Sequence, residues 1–168
     1  MKKSFIIFTC LLAIVTSACK YNSVESSEPD PSRSEKIDYA IVGRVGGNIA
    51  PGFVKIQDKN VSSAGHVSGV TYTSDNLPDM NKVQFHGIKV ADSTLAAINL
   101  TLSHIPQQLF EEKSKFVGSS TLKNPDFSNL YLEISIDGKK SEWVIYNTPD
   151  YLKDFITDLT PVEKYMYQ

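Results

Sequence analysis

Hydrophobic and polar positions alternate most clearly near the end of the chain, in "NLYLEISIDGKKSEWVIYN" (129–147). Leu130, Leu132, Ile134 and Ile136 point one way, and Trp143 and Ile145 can match that face. Asp137-Gly138 between the two runs signals a β-hairpin. A two-residue loop would set Glu133 against Glu142, a like-charge pair. The expected loop is therefore the longer Asp137–Lys140, which pairs Ile134 with Trp143. "YAIVGRV" and "FVKIQ" also read as strands, on either side of the turn-rich "GGNIAPG". "VTYTS" and "KVQFHGIKV" are further strand candidates, with Gly87 as a bulge or break. Residues 59–69, "KNVSSAGHVSG", are small and polar and read as a loop or weak hairpin.

The period changes to that of a helix after Asp92, a candidate N-cap. Leu95, Ile98, Leu102 and Ile105 make one apolar stripe, which Pro106 stops or bends. "PQQLFEEK" suggests a second short helical turn, and loop is expected from there to about Asn129. Thr148-Pro149 starts another helix signal, with Asp150 near the positive end of the dipole. Leu152, Phe155, Ile156 and Leu159 share a face of it. Thr160-Pro161 restarts the signal, and Glu163 completes a potential capping box. No repeat of fixed period is visible. These elements predict an α+β fold: an antiparallel sheet of about four to six strands, with the helices of 92–105 and 149–159 packed on one face.

The beginning of the chain follows a different pattern. Lys2 and Lys3 precede residues 4–18, which carry no charge and end in small residues at Thr16 and Ala18. That is the layout of a secretory signal peptide, and it falls short of the roughly 20 residues a membrane-crossing helix needs. The only cysteines are Cys10 and Cys19, so removal of 1–18 leaves one cysteine and no internal disulfide. Ser17-Ala18-Cys19, with Leu11, Leu12, Ile14 and Val15 behind it, resembles the lipobox of bacterial lipoproteins. Thr16 departs from the usual Leu, as in the relaxed lipoboxes of Bacteroidota-like bacteria. The resemblance implies cleavage before Cys19, diacylglycerol on its thiol and acylation of the new amine. Lys20 in place of aspartate favours the outer membrane, on its periplasmic face or at the cell surface.

Residues 20–36, "KYNSVESSEPDPSRSEK", offer only Tyr21 and Val24 as sizeable apolar groups and read as a flexible tether. Its reach as a random coil is roughly 20–25 Å. The expected organisation is thus signal peptide 1–18, lipid anchor and tether 19–36, and a single globular domain 37–168. Formal charge is −2 and falls to −4 without Lys2 and Lys3. With no basic stripe, nucleic acid is not an expected partner.

Tests for chemistry return little. "YAIVGRVGGNIAPG" has G-x-x-G-G spacing and leads into a strand, so it reads as a turn rather than a phosphate cradle. "GHVSG" around Ser68 lacks the buried strand a nucleophile elbow needs. His66, His86 and His104 lie 20 and 18 positions apart and share no helix face, so no metal site or cofactor is expected. Glu111-Glu112 and Asp154 with Asp158 read as solvated helix faces. Trp143 belongs with its apolar neighbours in the core, whereas Tyr131 and Tyr146 point the other way. If that sheet face is open, they form a contact surface with the exposed turn Gly46, Gly47 and Asn48.

The order of strand, Gly46-Gly47 turn, strand, amphipathic helix, "LYLEISIDGKKSEWVIY" hairpin and "PDYLKDFITDL" helix resembles the emfourin family over roughly residues 38–160. Emfourins are small proteinaceous inhibitors of thermolysin-like metalloproteases. The resemblance implies an inhibitory or binding role, and no inhibitory residue is carried over. The stretch 59–69 and the tether depart from the family pattern. The expectation is a non-enzymatic, lipid-anchored binding module of the cell envelope with a protein partner. The alternatives are an accessory subunit of an outer-membrane complex and a hydrolase built from scattered Ser, His and Asp.

Overall fold

The computed structural model of the protein describes residues 36–47, 50–68, 70, 76–118 and 128–168. The signal peptide, Cys19, the tether, Asn48 and most of "VTYTS" lie outside the described residues.

The fold is α+β and, among the described residues, is built on one seven-stranded sheet in the order β4-β3-β2-β1-β6-β7-β5. In chain order the strands are β1 (Ile37–Val45), β2 (Gly52–Gln57), β3 (Asn60–His66), β4 (His86–Ile88), β5 (Phe116–Val117), β6 (Asn129–Ile136) and β7 (Lys139–Ile145). Neighbours are antiparallel except β5 and β7, which run parallel. The helices are α1 (Asp92–Ser103), α2 (Gln107–Glu111), α3 (Lys153–Asp158) and α4 (Thr160–Glu163). Among the described residues no helix is long and apolar enough to cross a membrane.

The central strands β1 and β6 are buried on both faces, which explains their dense runs of apolar residues. On one side Val42, Leu132, Ile134 and Trp143 share a core cluster with Ile98 and Leu102 of α1, Leu109 of α2 and Phe155 of α3. On the other, Ile41, Phe53, Tyr131, Val144 and Tyr146 form a second cluster. Val83 and the half-buried Leu77, Met80 and Phe85, all from the connection between β3 and β4, complete it. Both sheet faces are therefore covered.

Four expectations need correction. The sheet has seven strands instead of four to six, and it is not wholly antiparallel. β3 occupies the stretch expected to be loop or weak hairpin. Its inward positions include Val61 and Ser63, and the Ser63 hydroxyl donates to the Met166 carbonyl, so a polar residue fills a core place. β5 lies within the expected 114–129 loop and is too short to show periodicity. The hairpin uses the two-residue turn: Asp137 and Gly138 both have positive φ (51° and 72°), and Leu132, not Ile134, faces Trp143.

Helix starts also differ in detail. Ala91 stands at the N-cap of α1 and Asp92 is its first residue. Pro149 caps a 3-10 turn, Asp150–Leu152, that runs into α3. Thr101 joins α1 to α3, its hydroxyl bonding both the Ala97 and Asp158 carbonyls (3.1 and 3.0 Å). Glu163 forms an ion pair with Arg44 of β1, which ties the C-terminal turns to the sheet.

Candidate binding site

Tyr131 and Tyr146 do point away from the face of Trp143, but that side is not open. Tyr131 is 0 % and Tyr146 7 % exposed, beneath the connection that covers the second cluster. Phe53 meets Tyr131 edge-on with centroids 5.8 Å apart. Both tyrosines thus leave the expected contact surface and join the core. Gly46 and Gly47 turn the chain after β1 with φ of 79° and 73°. Trp143 is buried against Phe110 of α2, also edge-on (5.4 Å).

The most concentrated polar chemistry surrounds Glu133. Alternation along β6 places it on the same face as Tyr131, where it is 3 % exposed. A carboxylate in that position needs donors on every side. Tyr131 donates its hydroxyl to Oε2 (2.6 Å), Tyr39 of β1 donates to Oε1 (2.8 Å), and Lys140 of β7 reaches Oε2 (3.3 Å). Burial pushes the Tyr39 hydroxyl up to about 12, with the bond to Glu133 adding to the effect. The same causes, burial first, raise Tyr131 further.

Lys140 continues the network outward. Its ammonium also bonds Glu142 Oε2 (3.1 Å), while Lys115, just before β5, holds Glu142 Oε1 (2.5 Å). Burial opposes ionisation of Glu142, but the hydrogen bonds from Lys115 and Lys140 outweigh it and keep its pKa below the ordinary glutamate value. Burial likewise opposes the charge on Lys140, and the two glutamates more than offset it.

These ions border a cleft of about 320 Å³, at the small end of ligand-binding cavities. Its walls are Phe110 and the segment Glu112–Lys115 on one side, and Lys140–Trp143 of β7 on the other. The cleft exists because β5 and β7 separate. Their pairing covers only Phe116 with Val144 and Val117 with Ile145. The Val144 amide donates to the Lys115 carbonyl and that of Tyr146 to Val117. Strand parity sends the main-chain groups of Glu142 and Lys140 out of the same edge, where β7 has no strand partner among the described residues. The sequence contains a trace of this site, because Glu133 stands between Leu132 and Ile134 in a largely apolar strand. The diverging strand could not be read, since β5 is only two residues long.

The residues weighed for catalysis are held by different elements. His66 of β3 stacks on Tyr167 (4.7 Å), His86 lies on β4, and His104 ends α1 beside Asp158 (3.7 Å). Ser68 is exposed after β3. Among the described residues no three His, Cys, Asp or Glu side chains converge as a metal site would need. The chain matches no protein-family model, no curated protein and no solved structure.

Proposed function

We propose that the protein is a lipid-anchored, non-catalytic module of the cell envelope that binds another protein. The observation that carries the binding role is the cleft at β7, a strand edge with outward main-chain groups whose bordering carboxylates already have donors. Such an edge suits recognition by main-chain pairing, and its paired carboxylates are poorly placed for acid–base chemistry. We read α1 and α3 as the backing of one sheet face, supported by the cluster they share with Leu132 and Trp143. Rigid backing of that kind keeps an edge strand straight enough to act as a template.

The anchor rests on Ser17-Ala18-Cys19 and the polar stretch after it. Two or more acyl chains hold a protein firmly, because each buried methylene contributes about 0.8 kcal/mol. Mass spectrometry of the mature chain from its native cells tests this part. The expected N-terminus is Cys19 with a thioether-linked diacylglycerol and an acylated amine, while an unmodified Cys19 or retention of 1–18 overturns the anchor. Crosslinking in the same cells tests the binding role, and recovery of no protein partner counts against it.

The narrower reading as a protease inhibitor draws on the emfourin-like order of elements. Mixing the protein with thermolysin-type metalloproteases decides it. Absence of both complex and inhibition ends the inhibitor version and leaves the anchor intact.

A further inference from the structure

We propose that the β7 edge over Lys139–Trp143 takes an extended, acidic segment of the partner protein as an added strand. The proposal deepens the protein-binding reading and names the chemistry of its occupant.

Beyond Val144 the outward groups of Glu142 and Lys140 have no strand beside them among the described residues, and they repeat at the spacing an extended chain requires. From Lys139 to Trp143 the strand spans about 13 Å, room for about four or five residues of a partner. The Glu112–Lys115 segment forms the far wall and makes the edge a cleft instead of a flat rim.

The cleft presents Lys113, Lys115 and Lys140 against Glu112 and Glu142. Both oxygens of Glu142 are taken, one by each of Lys115 and Lys140. Glu112 accepts the Tyr151 hydroxyl (2.7 Å). Each ammonium carries three donors, and Lys113 makes no ion pair among the described residues. Three ammoniums against two carboxylates leave the lining net positive. A strand with carboxylates at alternate positions supplies acceptors to those ammoniums while its amides and carbonyls complete β7. A basic segment would meet three lysines and only carboxylates that already have partners.

The test uses the full chain in detergent micelles and three end-blocked probes: alternating Thr-Glu heptapeptide, its Thr-Lys counterpart, and the Thr-Glu peptide N-methylated on the amides of one edge. The single tryptophan of the chain, Trp143, lines the cleft and reports occupancy by fluorescence. Amide hydrogen exchange at Lys140 and Glu142 reports pairing. The Thr-Glu peptide is expected to bind at least about tenfold tighter than the Thr-Lys peptide and to slow exchange at both amides. N-methylation on the pairing edge abolishes the protection, and Lys113→Glu weakens binding several-fold. Equal affinity for both peptides, binding indifferent to N-methylation, no binding, or unchanged exchange at Lys140 and Glu142 would overturn the proposal. So would concentration-dependent protection of these amides without peptide, which would make a second copy of the chain the occupant. If crosslinking in cells still recovers a partner undiminished by Lys113→Glu, the binding role stands and this site does not.

Discussion

Glu133 and Glu142 stand directly opposite each other on β6 and β7, and one ammonium, that of Lys140, bonds to both (3.3 and 3.1 Å). Two facing carboxylates repel, so the hairpin register depends on that shared cation. Lys140→Met keeps the stem of the side chain and removes the charge. Because Lys140 is half exposed, the expected loss is modest, about 1–2 kcal/mol at pH 7 by chemical denaturation. The deficit shrinks on acidification. Glu142 has a lowered pKa in the folded state, so its stabilisation is complete above the unfolded glutamate value and fades as pH falls through the lower, folded one. Adding Glu142→Gln to Lys140→Met removes the repulsion and recovers part of the loss. A double variant no more stable than Lys140→Met alone contradicts this account.

Tyr131 shares Glu133 Oε2 with Lys140 and Tyr39 takes Oε1, the first tyrosine fully buried and the second half-buried. Hydrogen bonds to a charged group contribute about 1.5–3 kcal/mol, so Tyr131→Phe is expected to destabilise by that amount and Tyr39→Phe by less. Alkaline behaviour provides a second readout. Both hydroxyls have raised pKa values in the folded state, about 12 for Tyr39. Their stabilisation is fully present below the unfolded tyrosine value near 10 and is lost as pH rises through the folded one. Stability of the wild-type chain should therefore fall between about pH 10 and 12, and Tyr39→Phe should flatten that slope. An unchanged alkaline slope in Tyr39→Phe sinks the assignment.

The amphipathic parts of the fold are legible from the chain because burial imposes their period. Ile98 and Leu102 reach the core as their helical spacing indicates, and so do Leu130, Leu132 and Trp143 by alternation. What stayed hidden depends on partners distant in sequence. Ser63 is buried because its hydroxyl meets the Met166 carbonyl, 103 positions away, so a polar strand looked like a loop. Glu133 against Glu142 alone argues for the wrong hairpin register. Lys140 sits on the same face and neutralises both, and Lys115 assists from before β5. Tyr131 was expected at a surface because nothing in its own strand reveals that Val83, Leu77 and Phe85 fold over it. The cleft followed the same rule: Lys140 to Trp143 were visible as strand, but the separation of β5 from β7 is a tertiary event.

The short pairing of β5 with β7 ends at Gly118, at the end away from the cleft, and a pair of glycine substitutions measures how tightly that pairing is fixed. Gly118 and Gly138 both have positive φ, 95° and 72°. A Cβ added at Gly138, in the exposed hairpin turn, meets nothing within 4 Å. Gly138→Ala therefore bears only backbone strain, about 1 kcal/mol. At Gly118 the same atom would sit 2.1 Å from the Tyr146 carbonyl oxygen and 3.1 Å from that of Asn147. Backbone cannot yield as a flexible side chain does, so Gly118→Ala must push β5 away from β7. It should cost at least about 2 kcal/mol more than Gly138→Ala, and it should speed amide exchange at Val144 and Tyr146, whose amides donate to Lys115 and Val117. Equal destabilisation by the two alanines, or unaltered exchange at those amides, would mean that the short parallel pairing is not held by the close approach at Gly118.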